Sequence, residues 1–342
     1  MKKFFTKPYV WAAVFSILLT GFTVFILLDT FVLVKSWRRA EQLPEAVALD
    51  AELASGKGEA LILDLTDPDW KSSITDADDD TVASFEKMAK DGCVRYYKDR
   101  NVEIKVLNER IFDTEVYSAD VTVSDPVLLK TAFSKDRTGY PVFGLHVEQL
   151  LSEIASDSGA ILAVNGDYYG FREKGFVIKN GVLYRDISCG EEALVIEADG
   201  SFGYYLEDET DANGLVADGA WQAFSFGPVL VRDGEIAVGV DTKVEKEYHE
   251  WESNPRTALG MVTPGHYVLT VSDGRTEASA GLSLFNLAAY MESLGCVEAY
   301  NLDGGGTSEM WFCGEVINHP THNGQDMEER GMSDIVYVGY FK

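Results

Sequence analysis

The 342-residue chain contains only five histidines and four cysteines, and its 29 Lys+Arg are outnumbered by 56 Asp+Glu, for a formal net charge of −27. So few histidines leave little from which to build the His/Asp cluster of a two-metal phosphodiesterase. His319 and His322 are three residues apart, but Pro320 between them reads as a surface loop rather than a zinc site. His146 reads as a cap or packing residue. Cys93, Cys189, Cys296 and Cys313 are widely spaced with no C-x-x-C pair. Buried free thiols are the plain reading of them, and a bridge between Cys296 and Cys313 is the sharper alternative. No G-x-S-x-G elbow of a serine hydrolase is present. The Gly304-Gly305-Gly306 run precedes the strand-like Glu309–Phe312 instead of a helix, which excludes both a P-loop and a dinucleotide fingerprint.

What is present is apolar material and unevenly placed charge. Hydrophobic residues make up 46% of the chain, enough for a large core, so wholesale disorder is excluded. Six basic residues and one acidic residue lie within residues 1–39, so residues 40–342 carry a formal −32. That surface repels phosphate backbones and excludes nucleic acid as a partner of the main body. From Pro8 to Leu28 there is no charge. This run is long enough to cross a bilayer, longer than a typical signal-peptide core, and followed by no small-x-small cleavage site, which predicts an uncleaved anchor. Three basic residues flank it on each side. The short Lys-rich tail before a single anchor predicts a single-pass protein of the cell membrane with its acidic body extracytoplasmic.

The chain divides into three regions: residues 1–35 as tail and anchor, 36–100 as an acidic, partly helical stalk, and 101–342 as a turn-rich, strand-rich main domain. Asp76–Asp80 lacks the central Gly of an EF-hand and reads as a solvated loop. Beyond residue 100, hairpin turns are frequent: Asn180-Gly181, Asp199-Gly200, Asp233-Gly234 and Pro264-Gly265 each separate two apolar runs. Helical spacing appears at Val147, Leu150, Leu151 and Ile154, and again at Leu284, Leu287, Ala288 and Met291. The fold class is therefore α+β, with curved, largely antiparallel or mixed sheets and a few covering helices.

Both helix-to-strand units end in polar turns, Asn165-Gly166-Asp167-Tyr168-Tyr169-Gly170 and Asn301-Leu302-Asp303-Gly304-Gly305-Gly306-Thr307. Strand ends present functional groups on rigid scaffolds, and three glycines let a ligand approach exposed backbone N–H groups. Taken singly, each turn reads better as an Asx-capped structural turn. Arg256, fixed after Pro255, and Arg275, in a turn after the next strand, are candidate anion clamps. An ordinary Arg–carboxylate pair is the competing reading, more so for Arg275.

In order, NGDYYG (165–170), NGVLYRD (180–186), NPRTALG (254–260), VSDGR (271–275), GLSLFNLAAYMESLG (281–295), AYNLDGGGTS (299–308), GEVIN (314–318) and ER (329–330) resemble the phosphodiester glycosidase family over about Val116–Phe341. The resemblance implies hydrolysis of the bond between a sugar's anomeric carbon and a phosphodiester, of N-acetylglucosamine type, in an envelope polymer or exopolysaccharide. It implies catalytic roles for Asp303, Asp167 and Arg256. Asn165, Asp273, Arg275, Asn301, Gly304, Gly305, Gly306, Thr307 and Arg330 are implied to hold the substrate. No cofactor is required by that chemistry, and a structural Ca²⁺ with unassigned ligands is expected at most. Thr307 stands where a Ser is usual and keeps the hydroxyl; Gly331 stands where a side chain is more common. The alternative function is a non-catalytic envelope module that binds anionic glycans in the same pocket.

Overall fold

The computed structural model describes residues 9–31, 35–239, 252–321, 324 and 326–342. Helix α1, Val10–Phe31, has a mean hydropathy of 2.3 over Val10–Asp29, and none of that span is buried against the rest of the molecule. It is long and apolar enough to cross a membrane, and a signal sequence would meet the same description.

Among the described residues four sheets make up the body, and every strand pair in them is antiparallel. The largest has nine strands in the order 235–236, 229–232, 298–301, 256–263, 266–272, 114–123, 102–111, 93–98 and 61–64. A five-stranded sheet runs 315–316, 310–312, 160–165, 334–339 and 129–133, and a second runs 182–185, 177–179, 222–224, 192–196 and 202–206. One hydrophobic core joins all three, with Leu259, Leu269 and Tyr300, Leu162, Val164 and Val336, and Leu194 and Phe224 contributed in turn. Fully burying each such side chain contributes about 1.5–3 kcal/mol.

The sequence explains the turns. Asn180-Gly181 and Asp233-Gly234 both adopt positive φ at each central residue, the backbone that type I′ hairpins demand and that Asn, Asp and Gly tolerate. The helix expected from Leu284 forms as Leu284–Ser293, capped by the Ser283 side chain on the Asn286 N–H. The helix expected from Val147 begins later, at Leu151, and runs to Ser158. His146 has a φ of 55° and gives its N–H to Gly170 O, so the residues before Leu151 leave the helical path to meet the Asn165–Gly170 turn.

The expectation of a separate stalk over residues 36–100 is corrected. Strands 61–64 and 93–98 complete the edge of the nine-stranded sheet, and strand 35–39 pairs with 142–145. Helix α2, Pro44–Gly56, is tied in by buried Asp50, which pairs with Lys130 at 2.5 Å and accepts the Phe341 N–H at 2.8 Å. Burial pushes the Lys130 ammonium down to about 8 against the pull of Asp50. Helix α3, Asp79–Lys90, covers Trp70 and Tyr96 through Phe85. Within the acidic run, Asp78 accepts the Thr81 N–H at 2.8 Å, so it starts this helix as an N-cap. The body therefore begins within a few residues of α1, because the Ala- and acid-rich segment carries apolar residues that the sheet edge buries.

Candidate active site

The two polar turns meet at a seam between sheets. Strand 160–165 of the five-stranded sheet and strand 298–301 of the nine-stranded sheet end side by side, and their antiparallel neighbours begin there. Register places Ile335 opposite Asn165, Ala258 opposite Asn301, and Arg256 opposite Ser272. Antiparallel pairing thus gathers Asp167, Asp303, Arg256, Arg275 and Arg330 from five separate stretches of chain.

Buried Asn165 stitches the seam. Its Nδ2 donates to Asp303 O at 2.6 Å and its Oδ1 accepts the Thr257 hydroxyl at 2.6 Å, so it braces the Asp303 loop. Asp303 Oδ1 accepts the Gly304 N–H at 2.8 Å and Oδ2 accepts the Thr307 hydroxyl at 3.0 Å. Burial pushes the Asp303 carboxyl up to about 6, partly offset by those two donors and by Arg330, with nearby Asp167 adding to the rise. Such a carboxyl is ionised at neutral pH yet close to its midpoint, as a general base or nucleophile should be.

Two clefts share Asp303. One, of about 350 Å³, is lined by Phe226, Glu252, Asn254, Arg256, Arg275 and Gly304 among others. Arg256 is held by Leu282 O and Glu252 O, and Arg275 by Asn254 Oδ1 at 3.1 Å. Neither guanidinium forms a carboxylate ion pair among the described residues, and burial with mutual repulsion lowers Arg256 to about 10. The competing reading of an ordinary Arg–carboxylate pair is thereby excluded among these residues. The second, narrower cleft is lined by Asp167, Tyr168, Phe171, Thr307, Arg330 and Gly331 among others. Tyr168 stacks on Phe171 at 4.8 Å between ring centres and meets Phe226 edge-on. At Gly331 a Cβ would lie 3.0 Å from Glu148 Oε2, so the missing side chain leaves room for this carboxylate beside Arg330.

Several of the residues expected to act on or bind the substrate also make internal hydrogen bonds. Asp167 is 4% exposed, its Oδ1 paired with Arg172 at 2.5 Å and its Oδ2 accepting the Ser225 N–H at 2.8 Å. Asp273 is also buried, and its Oδ1 accepts Asn318 Nδ2 and the His319 N–H. Asn301 Nδ2 donates to Gly227 O at 2.7 Å. Gly304 N serves Asp303, and Gly305 N serves Pro255 O at 2.9 Å, so two of the three expected glycine amides are not open donors. All four cysteines are free, so the Cys296–Cys313 bridge does not form. His322 lies outside the described residues. No cluster of three or more His, Cys, Asp or Glu side chains that could hold a metal occurs among the described residues.

Arg172, Lys179, Asp334 and Glu309 were not singled out from sequence. Buried Lys179 and Asp334 pair at 2.8 Å, and Asp334 Oδ1 accepts the Asp167 N–H at 3.1 Å. Their signal was present: each is a lone charge bordering an apolar strand, FVIK and DIVYV. Gly166 is required beside them, since a Cβ there would lie 2.5 Å from Asp334 Oδ1.

A family model described as phosphodiester glycosidase matches residues 158–339, more than half of the chain. The SPbeta prophage-derived uncharacterized protein YomE of Bacillus subtilis (strain 168) is 28% identical over 326 residues, covering 89% of this chain and 47% of YomE. Mouse (Mus musculus) N-acetylglucosamine-1-phosphodiester alpha-N-acetylglucosaminidase is 28% identical over 193 residues, covering 52% of this chain and 36% of the mouse protein. The chain thus spans less than half the length of these two relatives. The solved catalytic domain of zebrafish N-acetylglucosamine-1-phosphodiester alpha-N-acetylglucosaminidase, auto-inhibited by its pro-peptide, matches with a TM-score of 0.55 and 21% identity over 69% of this chain and 82% of that one, a likeness of fold. By the extent of the family match, the chain belongs to the phosphodiester glycosidase family.

Proposed function

We propose that the protein hydrolyses a sugar-1-phosphodiester at the anomeric C–O bond, the phosphate lying against Arg256 and Arg275 and the sugar in the cleft of Tyr168, Phe171 and Arg330. The observation that carries this reading is the position of Asp303, the carboxylate shared by a cation-lined cleft and an aromatic, polar one. Asp303 acts at the anomeric carbon, as nucleophile or as base for water. The electron pair of the breaking bond passes to the phosphate oxygen. That charge develops beside two guanidiniums, so protonation of the leaving group matters less than in ordinary glycosides. A second carboxylate of the seam, Asp167, is held by Arg172 and Ser225 and acts by bracing the turn. With α1 as an anchor, the substrate would be an envelope polymer or exopolysaccharide reached from the membrane surface.

Hydrolysis in ¹⁸O-labelled water tests the reading, with UDP-N-acetylglucosamine as the probe. Label in the released sugar is expected. Label in phosphate would mean P–O cleavage, and saturable binding without release would make the protein a glycan-binding module; either result overturns the proposal.

A further inference from the structure

Glu309 follows Asp303 by six positions and has no exposed surface. Its Oε1 accepts the Arg330 backbone N–H at 2.9 Å. Its Oε2, also buried, finds no hydrogen-bond partner among the described residues. A buried carboxylate oxygen without a donor is costly, whereas a protonated one needs an acceptor instead. The side chain facing it is the carboxylate of Glu329, and among the described residues no cationic side chain acts on it. Glu329 is itself held from the other side, its two oxygens accepting the Ser152 N–H at 3.0 Å and the Ser152 hydroxyl at 2.8 Å in the first turn of helix 151–158. Arg330 is exposed, lines the cleft beside Asp303, and makes no ion pair among the described residues.

We propose that Glu309 is a positioning residue for Arg330, a neutral carboxylic acid that accepts the Arg330 backbone N–H and donates its own proton to Glu329. The loop that carries Arg330 is thereby fixed to the Asp303 loop on one side and to Ser152 on the other. Burial, reinforced by Glu329, pushes the Glu309 carboxyl up to about 9, in keeping with the protonated form at neutral pH. The role assigned to Arg330 rests on the functional reading above; the placement of its loop does not.

Two readouts on the full chain in detergent test this: amide hydrogen exchange of the segment containing Arg330, and steady-state release of sugar from UDP-N-acetylglucosamine. Glu309→Gln keeps an acceptor for Arg330 and a donor for Glu329, so exchange stays slow and KM stays within about threefold. Glu309→Ala removes both, and loss of one such hydrogen bond should speed Arg330 exchange and raise KM by about tenfold. The Glu309→Ala/Arg330→Ala double variant should then match Arg330→Ala alone, because the two act as one unit. If the Ala variant does not fold, Glu309→Met fills the space without an acceptor and carries the same expectation. The proposal is overturned if folded Gln and Ala variants behave alike, if Arg330 exchange is unchanged in the Ala or Met variant, or if the double variant shows additive losses. A parent chain that releases no sugar refutes the functional reading instead, and the exchange comparison still decides the Glu309 assignment.

Discussion

Replacing Lys179 by Met should destabilise the protein by about 3–5 kcal/mol at neutral pH, the usual consequence of leaving one member of a buried pair uncompensated. Lys179 and Asp334 are 2% and 0% exposed, 2.8 Å apart, with the Lys179 ammonium 4.1 Å from the centre of the Phe224 ring. At about 2–4 °C per kcal/mol, the midpoint of thermal unfolding should drop by on the order of 10 °C. The pH dependence is more discriminating. Burial raises the Asp334 carboxyl from 3.8 to about 6 even with Lys179 pulling it down, and Asp167 adds to the rise. Between those values the native state binds more protons than the unfolded state, so this group's contribution falls as pH climbs through the window. Without Lys179 the folded value moves higher and the window extends upward, so the loss should be larger at pH 8 than at pH 5. The Lys179→Met/Asp334→Asn double variant removes both charges and should recover much of the loss. Calorimetric unfolding of the four proteins at the two pH values measures this. A loss independent of pH, or a double variant no better than the single, would refute the argument that the pair is electrostatic.

Other outcomes follow from the same geometry. Asp303→Asn should lower kcat for sugar release by at least about 10³-fold. Because burial holds Asp303 at about 6 and it acts ionised, kcat/KM of the parent should fall as pH drops below that value, and a rate that rises on acidification would contradict the role. Arg256→Ala and Arg275→Ala should each weaken substrate binding by about 1.5–3 kcal/mol and reduce its salt dependence, measured by KM at two ionic strengths. Asp167→Asn should reduce stability by about 3 kcal/mol because it leaves Arg172 uncompensated, and a variant with parental stability but no turnover would restore Asp167 to a direct catalytic role.

Much of this was legible in the residues. The Asn-Gly and Asp-Gly turns, the helix from Leu284 and the two polar strand ends are local signals, set by backbone tolerance and periodicity, and they form where the chain announces them. The helix from Val147 slips to Leu151 because the tertiary position of the Asn165–Gly170 turn claims the His146 N–H. The supposed stalk failed for a related reason: an acidic, Ala-rich composition describes solvent-facing positions and says little about a few strand residues that an existing sheet edge will bury.

Spacing and side-chain type were enough to set the antiparallel α+β character, the apolar N-terminal helix and the list of candidate polar residues. Only the tertiary structure divided that set. It put Asp303, Arg256, Arg275 and Arg330 on the clefts, gave Asn165 and Asp167 a place there while tying their polar atoms to neighbouring loops, and made Asp273 and Asn301 braces outside those two clefts, because a carboxylate or amide works on whatever donor or acceptor lies within about 3 Å, and those neighbours come from strands far apart in the chain.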